Sequence, residues 1–254
     1  MSFSLEGLIN PEKGPYREDK YDIPGDEDQL ELGPRSSRSN VSQAAIHVRL
    51  GFLRRVYFLL AIQLTLTTIV SIAFIKHEGI REFIATHPGL LTFDMIILFP
   101  ILFALMFFKE SHPTNLILLF TFTLGESLVV GQIVTLYELH AVITAFMLSL
   151  SVFFILTMYT LQSSYDFSTW GACLFTFLWI LLIGSIVHLL FPTEIGDLMI
   201  SLAGAIIFSG FIILDTHMIM HKLSPDDYIM ATITLYLDMI NLFLYILKMM
   251  KKKE

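Results

Sequence analysis

Apolar residues along the chain fall into seven long runs, which are separated by short polar breaks that often contain Pro or Gly. The runs are Tyr57–Ile75, Phe93–Phe108, Leu116–Tyr137, Ala141–Tyr159, Gly171–Phe191, Leu198–Leu214 and Tyr228–Leu247. A helix of about 20 apolar residues crosses the roughly 30 Å hydrocarbon core of a bilayer. Such runs become helices in lipid because a helix satisfies its own backbone hydrogen bonds. The pattern predicts an all-α polytopic membrane protein with seven hydrophobic helices.

Composition supports this class and separates the chain into three parts. Only 15% of the 254 residues are charged and 55% are hydrophobic, whereas soluble domains have about 25% charged residues. Residues 1–43 are polar, acidic and rich in proline, and they are expected to form a disordered cytosolic tail. Residues 44–250 form the predicted membrane domain, and 251–254 a short basic C-terminal tail. The expected surroundings are a lipid bilayer, with no nucleic-acid partner.

The sidedness of the last helix is ambiguous. Arg49, Arg54 and Arg55 precede the first helix, which predicts a cytosolic N-terminus by the positive-inside rule. Seven full spans would then place the basic C-terminal tail on the opposite side, against that rule. A re-entrant last segment would return the tail to the cytosol, yet Tyr228–Leu247 is long enough to span. The sequence leaves both topologies open.

The stretch Phe211–Leu247 carries one aspartate in each of its two apolar runs, Asp215 and Asp238. Carboxylates within membrane helices are costly and usually functional. If both face one cleft, they would share a proton and release it when a cation arrives. Carboxylate oxygens are ligands that suit Ca²⁺. Asp215 could instead be an interfacial aspartate in water, and Asp238 could make a structural hydrogen bond to Asn241 or Tyr236.

Other polar residues at membrane depth give weaker signals. Glu126 lies between Gly125 and Gly131, which suggest close helix packing, and it could line a pore or make a structural bond. Asp94 is expected at the interface, as is Lys109, which would snorkel or act as a latch on the two aspartates.

The polar stretch after the sixth segment is predicted to be a short loop from His217 to Asp227, so His217 and His221 are expected in a solvated loop. No Lys or Arg occurs between Lys109 and Lys222. An interior whose only formal charges are acidic favours cations.

The segments LYLDMINLFLYIL and FIILDTHMIMHKLSP resemble the transmembrane Bax inhibitor motif family, in particular its Lifeguard branch. The segments FLRRVYFLLAIQLTLTT, FTLGESLVVG and YTLQSSYDFSTWGACLFTFLWIL extend the similarity over about Arg49 to Leu247. The resemblance implies a central last helix surrounded by the other six. It also implies a Ca²⁺ leak of endoplasmic reticulum or Golgi membranes that lowers stored Ca²⁺ and inhibits apoptosis. The family's paired pore aspartates, its pH sensor, map onto Asp215 and Asp238. Its basic latch, usually arginine, maps onto Lys109, which lacks the bidentate fork.

Three functions are compatible with these features. The first is a pH-sensitive Ca²⁺ leak channel, which is no enzyme and has no cofactor besides the permeant Ca²⁺ bound by Asp215 and Asp238. The second is a non-conducting membrane scaffold that binds apoptotic or Ca²⁺-channel membrane proteins. The third is an intramembrane aspartyl protease, which also carries one aspartate on each of two consecutive helices. Its Tyr-Asp and Gly-x-Gly-Asp contexts are missing, because leucine precedes both aspartates.

Overall fold

The computed structural model describes residues 46–250, so the predicted tails 1–43 and 251–254 lie outside the described residues. This part of the chain is helical. Its helices are α1 Ile46–Lys76, α2 Glu78–Thr86, α3 Gly89–Phe108, α4 Thr114–Val134, α5 Leu139–Gln162, α6 Gly171–Leu190, α7 Glu194–His221 and α8 Tyr228–Lys248. Short 3-10 turns, Phe167–Trp170 and Pro225–Asp227, precede α6 and α8. Seven helices, all except the nine-residue α2, are long and apolar enough to cross a membrane. The predicted fold class is confirmed.

Helix α7 is longer than the sequence pattern predicted. It continues past Leu214 to His221, so the prediction of a polar loop from His217 to Asp227 was wrong. The continuation is favourable because Ile219 and Met220 point into the core in this last stretch. The connection to α8 is reduced to residues 222–224 and the 3-10 turn Pro225–Asp227.

Helix α8 is the central element of the bundle. Thirteen of its 21 residues are buried, whereas α3 and α6 each bury two. It packs directly against α1, α4, α5 and α7. Helices α3 and α6 pack mainly on α4 and α7, and they expose large apolar side chains such as Phe107 and Leu189. Lipid chains solvate such a surface. Because α3 and α6 pack mainly on other helices, α8 has an inner layer of four helices around it rather than six equivalent neighbours.

Helix α8 runs antiparallel to α7 along its whole length. Nζ of Lys248, the last residue of α8, lies 3.1 Å from Oδ1 of Asp197 in the first turn of α7. A helix of 21 residues is about 31 Å long, close to the thickness of the hydrocarbon core. At the other end, α1 contacts the 3-10 turn before α8, and Arg49 near the start of α1 acts electrostatically on His221 at the end of α7. The chain therefore enters and leaves the bundle at opposite ends, and this geometry favours a full seventh span over a re-entrant segment.

Candidate functional site

The structure brings the two predicted aspartates together. Asp215 on α7 and Asp238 on α8 have side chains in direct contact. Asp238 is buried and Asp215 is half-buried. Neither Asn241 nor Tyr236 hydrogen-bonds to Asp238: the Asn241 amide donates to the carbonyl oxygen of Leu237, and Tyr236 bonds elsewhere. The structural bonds considered from the sequence are therefore not formed.

One carboxylate oxygen of the pair, Oδ2 of Asp238, is buried and finds no hydrogen-bond partner among residues 46–250. The same part of the chain contains no group of three His, Cys, Asp or Glu side chains that could hold a metal ion. Two carboxyls alone supply few of the six to eight oxygen ligands that Ca²⁺ takes. Contact between the pair and Ca²⁺ stays a prediction.

Glu126 lies on α4, half-buried and within electrostatic reach of Tyr236 on α8. The glycines beside it allow the close packing expected from the sequence. A methyl group on Gly125 would lie 2.6 Å from Cδ2 of Leu98, and one on Gly131 would lie 3.0 Å from the ring of Phe74. Contact between Glu126 and a permeant ion stays a prediction.

A buried hydrogen-bond network next to Glu126 was not predicted from the sequence. Nε2 of Gln63 donates to Oγ1 of Thr123 at 2.8 Å. Oγ1 of Thr67 lies 3.0 Å from Oγ of Ser127 and 2.8 Å from the hydroxyl of Tyr236. The network joins α1, α4 and α8. Its signal was present in the chain, because the two pairs of polar residues on α1 and α4 are each spaced four apart and so share a helix face.

Lys109 does not contact the aspartate pair in this structure. Its Nζ donates to Oδ1 of Asp227 at 2.9 Å, where Asp227 immediately precedes α8. The spacing of 11 residues from Asp227 to Asp238 corresponds to about 16 Å along a helix. The expected latch on Asp215 and Asp238 is thus not formed here, and Lys109 instead ties the end of α3 to the start of α8.

His217 lies on α7, two residues after Asp215, and its side chain is buried. This corrects the expectation that it lies in a solvated loop. Its Nε2 lies 2.9 Å from Oδ1 of Asp166, within ion-pair distance but without hydrogen-bond alignment. Asp166 is exposed, and its Oδ1 accepts a hydrogen bond from the backbone of Ser168 at 2.9 Å. Hydrogen bonds from Ser168, with smaller contributions from Lys222 and His217, lower the pKa of Asp166 to about 2.

A polar cavity of about 310 Å³ opens at this end of the bundle. We call it the vestibule, and its lining residues are Ser163, Ser164, Tyr165, Asp166, His217, His221 and Lys222.

Asp94 lies near the far end of α4, where it is half-buried and accepts a hydrogen bond from Gln132. Polar groups therefore occur at both ends of the bundle and around the central aspartates.

Comparison with known proteins identifies the family. A family model described as "Inhibitor of apoptosis-promoting Bax1" matches residues 49–254. Protein lifeguard 4 of Mus musculus and the Golgi anti-apoptotic protein of Vaccinia virus (strain Lister) are each 45% identical over 213 residues, which cover 84% of this chain and 90% of each relative. Bax inhibitor 1 of Schizosaccharomyces pombe is 36% identical over 211 residues, 83% of this chain and 79% of that protein. The family match, the seven membrane-length helices and the paired motifs on α7 and α8 together show that this chain belongs to the Bax inhibitor/Lifeguard family.

Proposed function

We propose that this protein is a pH-sensitive Ca²⁺ leak of Golgi or endoplasmic reticulum membranes, and that it inhibits apoptosis by lowering stored Ca²⁺. The observation that carries the proposal is the contact between Asp215 and Asp238 inside the helix bundle. The family description and the names of the relatives support the anti-apoptotic role and the Golgi location. The proposed orientation places the N-terminus and the vestibule in the cytosol.

The proposed chemistry follows from placing two carboxyls together in a low-dielectric interior. Two carboxylates in contact repel each other, so sharing one proton between them is favourable. An arriving Ca²⁺ ion can replace that proton, because it neutralises both charges and binds carboxylate oxygen. Proton concentration and Ca²⁺ then compete for one site, which makes the leak pH-sensitive. The absence of Lys and Arg from residues 110–221 removes fixed positive charge that would repel the ion.

The test is Ca²⁺ flux through purified protein in liposomes at several pH values between about pH 6 and pH 8, because a coupled carboxyl pair titrates as a unit. Wild type is compared with Asp215→Asn and Asp238→Asn. Asp226→Asn is the matched control, because Asp226 is exposed in the 3-10 turn before α8. We expect the control to match wild type, Asp238→Asn to lose flux, and Asp215→Asn to shift or lose the pH dependence.

Unchanged flux in Asp238→Asn would refute the aspartate pair as the ion site. If liposomes that contain the wild-type protein pass no Ca²⁺ at any pH, the leak is refuted. That result would favour a non-conducting scaffold for apoptotic or Ca²⁺-channel membrane proteins. A cell-survival assay with Asp238→Asn separates the two: the leak requires loss of protection, and the scaffold requires that protection is kept.

A further inference from the structure

Three buried hydroxyl groups from different helices meet next to Asp215 along α7. The hydroxyl of Tyr57 on α1 contacts those of Thr157 on α5 and Thr216 on α7. Thr157 is 5% exposed, Thr216 is fully buried, and Tyr57 is half-buried with its hydroxyl oxygen buried. Within the described residues, none of the three hydroxyls makes a well-aligned hydrogen bond. The cluster is therefore polar, enclosed and incompletely satisfied by protein atoms.

The two threonines of this cluster differ from other threonines of the bundle in the hydrogen bonds that their hydroxyls make. Thr160, one turn from Thr157 on α5, bonds back to the carbonyl oxygen of Leu156 at 2.8 Å. Thr232 on α8 bonds back to its own helix in the same way. This local bond is available to almost any threonine in a helix. The hydroxyls of Thr157 and Thr216 forgo it and contact Tyr57 instead, so the two side chains are directed toward one point.

The three hydroxyls are suited to a small neutral ligand that both donates and accepts hydrogen bonds. A buried hydroxyl without a partner is costly, and native proteins rarely leave three together. None of the three side chains carries a formal charge, so the cluster lacks the groups that hold a bare ion. A buried water molecule makes about three hydrogen bonds, which matches the three hydroxyls.

We infer that Tyr57, Thr157 and Thr216 bind ordered water and form a hydrated station beside the aspartate pair and the vestibule. Thr216 adjoins Asp215 of the pair and His217 of the vestibule along α7, and a rise of about 1.5 Å per residue places all three at nearly the same depth. Water at the station would exchange protons with the aspartates and replace part of the hydration shell of a passing ion. The connecting role rests on the proposed leak function, whereas the water site does not.

Radiolytic hydroxyl labelling read by mass spectrometry tests the water site directly in the full chain in lipid nanodiscs. Bound water produces radicals beside the residues that hold it. Tyr236 is the internal control, because it is fully buried and its hydroxyl bonds to Thr67. Tyr165 at the vestibule is the exposed reference. We expect Tyr57 to be modified several-fold faster than Tyr236. Labelling of Tyr57 as slow as that of Tyr236 would overturn the inference.

Isosteric variants test the same site through stability and flux. Thr157→Val and Thr216→Val should lower the melting temperature, slow the labelling of Tyr57 and reduce Ca²⁺ flux several-fold. The matched controls Thr160→Val and Thr232→Val should leave labelling and flux unchanged. A rise in melting temperature for Thr157→Val would overturn the water site, because removing a partnerless hydroxyl from a dry pocket is stabilising.

The flux data separate this inference from the proposed function. Fast labelling of Tyr57 in a wild type that passes no Ca²⁺ would support the water site and refute the leak. Normal flux in a Thr157→Val and Thr216→Val double variant that has lost the labelling would overturn the connecting role.

Discussion

The close approach of α7 to α8 depends on Gly204, and its replacement by alanine tests how strongly the two helices are packed. A methyl group there would overlap the ring of Tyr245, with Cγ at 2.5 Å and Cε1 at 2.6 Å. Ordinary carbon contacts are about 3.5–4.0 Å, so the ring or the helix would have to move by about 1 Å. The Tyr245 ring cannot simply turn aside, because it stacks on Phe208 with ring centroids 5.7 Å apart.

The expected cost of Gly204→Ala combines two opposing effects. Overpacking a well-packed interior costs about 1–3 kcal/mol, and the tight fit at Tyr245 argues for the upper part of that range. Alanine also stabilises a helix by about 1 kcal/mol relative to glycine. The net expectation is a loss of about 2 kcal/mol in the free energy of unfolding, measured by denaturant titration or steric trapping in bicelles.

A matched control and a second-site variant make this expectation refutable. On α6, a methyl group added at Gly184 would have nothing within 4 Å, so Gly184→Ala should be neutral or stabilising by up to about 1 kcal/mol. Tyr245→Leu should relieve the clash, so that its combination with Gly204→Ala is less destabilised than the sum of the single changes. The reasoning fails if Gly204→Ala is as stable as Gly184→Ala, or if the two changes are additive.

Three further predictions concern polar contacts. Tyr236→Phe should cost about 1 kcal/mol in the free energy of unfolding and Thr67→Val more, because Thr67 bonds to three partners; equal costs in the same assay would contradict the network. A double-mutant cycle of Lys109→Met with Asp227→Asn should give a coupling of about 1 kcal/mol that weakens in salt, and zero coupling would show that the ion pair is incidental. Hydrogen bonding lowers the pKa of Asp166 from 3.8 to about 2. The stabilisation from this carboxylate is therefore present above pH 3.8 and is lost as the pH falls through about 2. Acid unfolding of Asp166→Asn should lack this component, and an identical acid profile would contradict it.

The helical fold was predictable because hydrophobicity alone determines which segments enter lipid. The end of α7 was not predictable, because hydropathy registers how polar a residue is but not which way its side chain points. His217 and His221 made the stretch after Thr216 look like a loop, yet both residues belong to a continuous helix and the His217 side chain points inward. A polar residue that faces a polar interior does not end a membrane helix.

The contacts of single charged groups were harder to predict for a different reason. Lys109 and Asp227 are 118 residues apart in the chain, and His217 on α7 meets Asp166 in the connection between α5 and α6. Which partner a long side chain finds depends on the relative positions of three or four packed helices. Composition and spacing in one sequence do not contain that information. The pairing of Asp215 with Asp238 was easier, because α7 and α8 are consecutive, antiparallel and joined by a short connection.

The two ends of α8 explain why the central carboxyls stay in contact. At its start, Asp227 pairs with Lys109, and at its end Lys248 pairs with Asp197 of α7. A slide of α8 by one turn, about 5.4 Å, would break both ion pairs, so the helix cannot easily relieve repulsion at its centre by moving. In the proposed leak, the repulsion between Asp215 and an ionised Asp238 is then relieved chemically, by a proton or a cation. On that proposal, packing outside the site makes two like charges into a site for positive charge.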